Sequence, residues 1–278
     1  MAEIINGNEI AQGIIDSVKA QIDNLNIKPK LAIISYNADE RSKVYVNLKL
    51  KKANEVGIEC KALDWSGKSL DECKAEMRNL ANDKAICAII AQLPMHKLDG
   101  YQEVLDIIPA SKDVDGLSSS SIEMLRESTA DLVPATPKAI LEVIKHENIE
   151  LNNKNILIIG QGKLVGLPLS IILKNKGLKM VTADKNTQDL TKLALDADII
   201  ITATGTPKLI TGEMIEKGAV VLDAGVAEAD GKIVGDVDYD TVEPKASVIS
   251  KVPGGIGPVT VACLLENVLD TTKKDENN

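Results

Sequence analysis

Residues 41–52 read RSKVYVNLKLKK, five basic side chains and no acid, inside a chain whose net charge is −9. On a helix, Tyr45 and Lys49 are four apart and share one face. A flat ring beside an amine suits a planar, anionic substrate. The plainer reading is a solvated basic helix face with one tyrosine docked on the core. Three more segments hold residue types able to do chemistry. Gln92-Leu93-Pro94 directly follows an apolar run at 86–91, and strand ends in open α/β sheets face the ligand crevice. Lys112-Asp113-Val114-Asp115-Gly116 places two carboxylates in a Gly-ended turn. Val252-Pro253-Gly254-Gly255-Ile256-Gly257-Pro258 is a loop that lets a ligand approach the backbone closely. Taken singly, an Asp-Gly turn is usually only a turn, and Gly/Pro loops are common.

A second group of residues points to a nucleotide. The apolar run at 156–159 leads into Gly160-Gln161-Gly162-Lys163-Leu164-Val165-Gly166. The glycines are spaced GxGxxxG, one residue longer than the usual dinucleotide fingerprint. The physics is the same: glycine permits the tight turn, and the following helix N-terminus favours phosphate. Asp184 ends the next apolar run, 24 positions beyond Gly160. A carboxylate there accepts from the ribose 2′-OH of NAD and repels a 2′-phosphate, while the adjacent Lys185 would attract one. The alternative is that Asp184 merely starts the turn before the next helix. Thr204-Gly205-Thr206-Pro207 and Asp223-Ala224-Gly225-Val226 follow two further apolar runs.

The elements that must hold these residues alternate. Strand-like runs fall at 31–35, 86–91, 156–159, 180–183, 198–202, 219–223 and 247–250. They are short and rich in Ile and Val, as strands buried on both faces are. Helix-like stretches fall between them at 9–25, 41–56, 70–82, 137–145 and 166–176, with a last one at 259–271. The alternation predicts an α/β protein with parallel sheets covered by helices. Pro134-Ala135-Thr136-Pro137 reads as a linker and helix start, with Thr136 as the cap and Pro137 in the first turn. The polar residues 272–278 are expected to fray.

Composition fits this picture. The chain has 278 residues, comfortable for two domains. It has no Phe and one Trp, so the core must be built from Ile, Leu, Val and Ala. The acidic balance argues against nucleic acid as a partner. Cys60, Cys73, Cys87 and Cys263 are scattered without a CxxC pair, and His96 and His146 are the only histidines. No zinc site is expected, and buried free thiols in a reducing compartment are. The N-terminus MAEIINGNEI lacks the basic start and apolar run of a signal peptide. No run reaches membrane-spanning length. The expected setting is cytoplasmic, without a membrane partner.

In order, YVxxKxK at Tyr45, QLP at Gln92, KDVDG at Lys112 and PGGxGPxT from Pro253 to Thr260 resemble the signatures of the bifunctional methylenetetrahydrofolate dehydrogenase/methenyltetrahydrofolate cyclohydrolases. The resemblance runs from about Gly7 to Asn267. It implies an α/β folate-binding domain over 1–118, completed by a C-terminal helix at 259–278, and a Rossmann-like NAD(P)-binding domain over 119–258. It implies that Lys49 handles protons, Tyr45 packs along the folate, Gln92 orients the lysine and Asp115 hydrogen-bonds the pterin. Leu93, Pro253, Gly254 and Gly255 would complete the substrate site. The phosphate turn would use Gly160, Gln161, Gly162 and Val165, and the ribose Asp184 and Lys185. Thr136, Thr204, Gly205, Ala224, Val226 and Thr260 would follow the rest of the cofactor. A homodimer is implied as well.

The chain also departs from the family pattern. Gln161 and Gly162 stand where the family usually has Arg and Ser, and that Arg is associated with the 2′-phosphate of NADP. Ser121 and Glu123 replace a common Asn and Gly, and Ala135 replaces a Cys. Gln161 in place of the Arg, together with the carboxylate of Asp184, favours NAD. Gln161 and Gly162 also raise one rival, an enzyme that kept the hydrolase and lost the dehydrogenase. The rival of another class is a non-catalytic nucleotide-binding regulatory protein.

Overall fold

The structure is a computed structural model that describes residues 2–95, 97–229 and 231–277. His96, weighed above as a metal ligand, lies outside the described residues. In chain order the elements are β1 (Glu3–Ile5), α1 (Gly7–Ile22), β2 (Lys30–Ser35), α2 (Glu40–Glu55), β3 (Glu59–Asp64), α3 (Leu70–Asn82), β4 (Ala88–Ala91), α4 (Tyr101–Leu105) and α5 (Ser119–Arg126). They continue with α6 (Ala135–His146), β5 (Ile156–Ile159), α7 (Gly166–Asn175), β6 (Met180–Ala183), α8 (Leu190–Leu195) and β7 (Ile199–Thr202). The last are β8 (Val220–Asp223), β9 (Ala227–Ala229), β10 (Lys232–Val234), α9 (Tyr239–Val242), β11 (Val248–Ser250) and α10 (Ile256–Asn277).

The chain forms two compact units. The first holds Gly13–Ala135 and the residues from Val261 onward. Its sheet has the order β3-β2-β4, all parallel. β2 and β4 are apolar runs whose central residues are buried, while β3 (ECKALD) is a half-exposed edge. A parallel bridge between Ile89 and Asp113 lays the KDVDG segment beside β4. α3 starts in a capping box, Ser69 with Glu72, which satisfies two orphan donors reciprocally.

The second unit holds the N-terminal residues through Gln12 and Thr136–Thr260. Its six strands run parallel in the order β1-β11-β8-β7-β5-β6. β5 and β7 are buried at every position. From β5 the chain passes to β6 on one side and later to β7 on the other. The strand order therefore reverses between β5 and β7, which is where ligands bind in such sheets.

Three expectations differ from what the structure shows. The units do not divide at 118/119: α5 and its following loop belong with the three-stranded unit, and β1 joins the six-stranded sheet by pairing Glu3 with Val248. Thr136 is not a cap, because α6 already begins at Ala135. Residues 272–277 are not frayed. α10 runs on to Asn277, with Thr271 and Thr272 buried and Glu276 accepting from the Asn26 N–H at 2.6 Å. Polar side chains with partners hold the last turns that composition alone assigns to solvent.

Candidate active site

In the three-stranded unit, α2 is started by Asp39, whose Oδ1 accepts from Ser42 N–H at 2.7 Å. The helix carries Tyr45 and Lys49, both half-buried, on one face. Lys49 Nζ donates to Gln92 Oε1 at 3.1 Å. The amide is held in turn: Gln92 Nε2 donates to the Leu93 carbonyl at 2.9 Å, and Gln92 N–H to Ile34 O at 2.7 Å. The end of β4 thus fixes which face Gln92 shows the lysine. The Leu93–Pro94 peptide is cis.

Burial pushes the Lys49 ammonium below the ordinary lysine range, and the Asp115 carboxylate opposes this. Burial likewise raises Asp115, with Lys49 pulling the other way, Asp113 adding to the rise and the Ala135 N–H lowering it. Lys49, Gln92 and Asp115 are therefore brought together from α2, β4 and the KDVDG turn. The two carboxylates of that turn have separate tasks. Asp113 is buried and accepts from Leu117 N–H (3.0 Å), Ser118 N–H (2.8 Å) and Ser121 Oγ (2.7 Å). It builds the turn, whereas the shift of Asp115 answers mainly to burial and Lys49. The departure at Ser121 is absorbed here, as the donor that fastens Asp113.

At the switch point of the six-stranded sheet, Gly160 ends β5 with φ +93°, and an added Cβ would lie 2.5 Å from Ala203 O. At Gly166 an added Cβ would run into the Gly160 carbonyl oxygen, so α7 can start this close to the strand only with glycine. The exposed Gly162 has open space beside it. This is a glycine cradle at a helix N-terminus, fit for a dinucleotide pyrophosphate. Gln161 folds onto the cradle itself: its Nε2 donates to Gly160 O at 3.1 Å, and its Oε1 accepts from Ser170 Oγ at 3.4 Å. Asp184 is exposed after β6, and Lys185 beside it is exposed too. Asp184 Oδ1 accepts from Asn186 N–H (2.8 Å) and Thr187 Oγ1 (3.3 Å). Thr204 and Gly205 follow β7, and Ala224 and Val226 follow β8, all at strand C-termini. Thr136 lies in α6, while Pro253, Gly254, Gly255 and Thr260 also belong to this unit.

Family models match both units. Residues 5–115 match the catalytic domain, and 134–276 the NAD(P)-binding domain, of tetrahydrofolate dehydrogenase/cyclohydrolase. The chain belongs to this family. It is 40% identical to the bifunctional protein FolD of Mycoplasma mycoides, over 97% of this chain and 96% of that one. It is 36% identical to FolD of Caldanaerobacter subterraneus, over 97% and 96%. Among solved structures it is similar to the FolD dehydrogenase/cyclohydrolase of Campylobacter jejuni, with TM-score 0.94 and 32% identity over 99% of each chain. FolD of Trypanosoma brucei, solved with NADP and an inhibitor, gives TM-score 0.93 at 29% identity over 98% of each chain.

Sequence reasoning about this dehydrogenase/cyclohydrolase chain missed two buried carboxylates, Asp223 and Asp236. In the sequence Asp223 stands out only as the first residue of Asp223-Ala224-Gly225-Val226, with no role of its own. Burial pushes its carboxyl up to about 7; Val237 N–H lowers it and Asp236 adds to the rise. The available signal was Gly225 and Gly235, where an added Cβ would collide with the Asp236 and Asp223 carboxylates. The four cysteines form no disulfide, and Cys73, Cys87 and Cys263 are buried. Half-buried Cys60 is pushed up to about 11, chiefly by burial, and is no nucleophile at neutral pH. Among the described residues, no helix is long and apolar enough to cross a membrane.

Proposed function

We propose that the chain oxidises 5,10-methylenetetrahydrofolate to the 5,10-methenyl form with NAD(P)+ and hydrolyses that product to 10-formyltetrahydrofolate. The observation that carries this reading is the Lys49 amine, lowered by burial and held at 3.1 Å by an oriented Gln92, with Asp115 close enough to act on its charge. An ordinary lysine, with pKa about 10.4, is a poor base at neutral pH. A buried one beside a cationic methenyl group is lowered further. Water adds to the methenyl carbon and loses a proton to neutral Lys49. The resulting hydroxyl then gives up its second proton as a proton reaches the departing ring nitrogen, and that C–N bond breaks to leave the formyl C=O on the other nitrogen. Gln92 keeps the amine aimed, Asp115 holds the pterin, and Tyr45 stacks along it, with Leu93 beside them.

The oxidation asks less of the side chains. The substrate nitrogens already push electrons toward the departing hydride, so positioning dominates. A bound nicotinamide supplies the hydride acceptor. Gly160, Gly162, Val165 and the backbone of Gln161 would hold its pyrophosphate, and Asp184 and Lys185 its adenosine ribose. Thr204, Gly205, Ala224 and Val226 would face the nicotinamide half, with Thr136 and Thr260 also along the cofactor. NAD is the favoured nucleotide. Gln161 spends its amide on the cradle rather than on a phosphate, and a carboxylate stands at Asp184. The matches along the whole chain lend no support to the hydrolase-only or non-catalytic rivals. We extend the reading to a cytoplasmic homodimer, which size-exclusion chromatography with light scattering tests.

The functional test is one spectrophotometric assay of the purified chain with methylenetetrahydrofolate and each nucleotide. Reduced nucleotide and 10-formyltetrahydrofolate are both expected. Hydrolysis of supplied methenyltetrahydrofolate with no reduction of either nucleotide would overturn the dehydrogenase half.

A further inference from the structure

We infer that Asp236 is a positioning residue for the oxidation, acting through the turn Thr204-Gly205-Thr206. This deepens the proposed dehydrogenase reading and rests on it. Asp236 is fully buried, 0% exposed, one residue beyond Gly235. Its Oδ2 accepts from Thr202 Oγ1 and from Thr204 N–H, both at 2.6 Å. Its Oδ1 accepts from Thr206 N–H at 2.9 Å, a donor shared with Thr204 Oγ1 at 3.0 Å. One side chain thus ties the last residue of β7 to two backbone amides of the turn that follows it. The backbone of Asp236 ties the exit of the same loop, its carbonyl accepting from Ile210 N–H at 3.0 Å.

The carboxylate also reaches the neighbouring loop. Gly225 lies so close that any Cβ there would collide with it. Gly225 is itself fixed by Asp223, whose Oδ1 accepts its N–H at 2.9 Å and whose Oδ2 accepts Val237 N–H at 2.9 Å. Asp236 therefore wedges between the two loops assigned above to the nicotinamide half. A neutral acceptor would fill the space without the cost of burying charge. What the charged form adds is strength and stiffness, since hydrogen bonds to an ionised acceptor are about twice as strong as neutral ones. A site whose rate depends on placing one ring against one carbon gains from that stiffness, because a small misplacement costs up to about a hundredfold.

The test compares the wild type with Asp236→Asn and Thr202→Val in the full chain. Asp236→Asn keeps the shape but removes the charge and turns one acceptor into a donor facing a backbone N–H. The expected result is a fall in kcat for oxidation of roughly tenfold to a hundredfold, larger than any rise in nucleotide KM. Hydrolysis of supplied methenyltetrahydrofolate should stay within about twofold of wild type, the split that a merely structural role would not produce. Thr202→Val removes one donor and keeps the carboxylate. It should lower oxidation in the same direction by a smaller factor, and it carries the test if Asp236→Asn does not fold. Oxidation within about twofold of wild type in a folded variant, or a parallel fall in both activities, overturns the inference alone. A wild type that oxidises nothing overturns the dehydrogenase reading and the inference with it.

Discussion

Asp223→Asn should change how stability depends on pH, in a direction that the structure sets. The Asp223 carboxyl is 2% exposed, and burial raises it from 3.8 to about 7. Below about pH 4 the folded and unfolded chains both hold this proton. Between about pH 4 and 7 the unfolded chain releases it and the folded chain keeps it. Stability from this group is therefore full below the window and lost as pH rises through it. At about 1.4 kcal/mol per tenfold, the rise corresponds to about 4 kcal/mol lost by pH 8. Asparagine cannot titrate, so the variant lacks this slope. It also offers one oxygen to Gly225 N–H and Val237 N–H where the acid offers two, which costs roughly 1–3 kcal/mol at every pH. Urea unfolding followed by circular dichroism, from about pH 4.5 to about pH 8, reads the difference. The wild type should exceed the variant at the acid end and lose that lead by the basic end. Trp65, the sole tryptophan, is buried in the other unit, so its emission serves as an internal control. Parallel curves for the two proteins across the range would refute the reasoning.

Three further outcomes follow from the geometry. Asp115→Ala should weaken folate binding and leave nucleotide affinity little changed, as measured by calorimetry; the opposite pattern would mean that the two units have been given the wrong ligands. The wild type should prefer NAD over NADP in kcat/KM by roughly tenfold or more, and Gln161→Arg with Asp184→Ser should reverse the order. A wild type that prefers NADP would show that Lys185 or another group outweighs Asp184. Gly166→Ala should destabilise the chain by roughly 1–3 kcal/mol and weaken nucleotide binding, since the methyl would strike the Gly160 carbonyl; an unchanged urea midpoint and dissociation constant would contradict this.

What the sequence shows plainly is what local pattern encodes. The runs at 31–35 and 156–159 sit within a residue of β2 and β5, because strands buried on both faces must be continuously apolar. The run at 180–183 coincides with β6, but as a sheet edge with Val181 and Thr182 exposed, not as a strand buried on both faces. β3 escapes notice because ECKALD is an edge with mostly exposed side chains. β1 escapes because three residues show no pattern, and their place in the sheet depends on Val248, far along the chain. The same limit applies to the site. Tyr45 and Lys49 are neighbours by helical spacing, whereas Lys49 meets Gln92 across 43 positions, which only the family resemblance anticipated. Asp113 and Asp115 are indistinguishable in KDVDG until three donors are seen to converge on Asp113. Asp236 looks like any acidic turn residue after a glycine. Its burial follows from the meeting of β7 and β8, not from its neighbours in sequence.

The most direct measurement of the central claim is the pair of rates in Lys49→Met, with circular dichroism verifying the fold. The methionine keeps a similar length and removes the amine that Gln92 holds at 3.1 Å. Methenyl hydrolysis should be abolished while methylenetetrahydrofolate oxidation continues, so that the methenyl form accumulates. A folded Lys49→Met chain that hydrolyses methenyltetrahydrofolate at the wild-type rate would contradict the account.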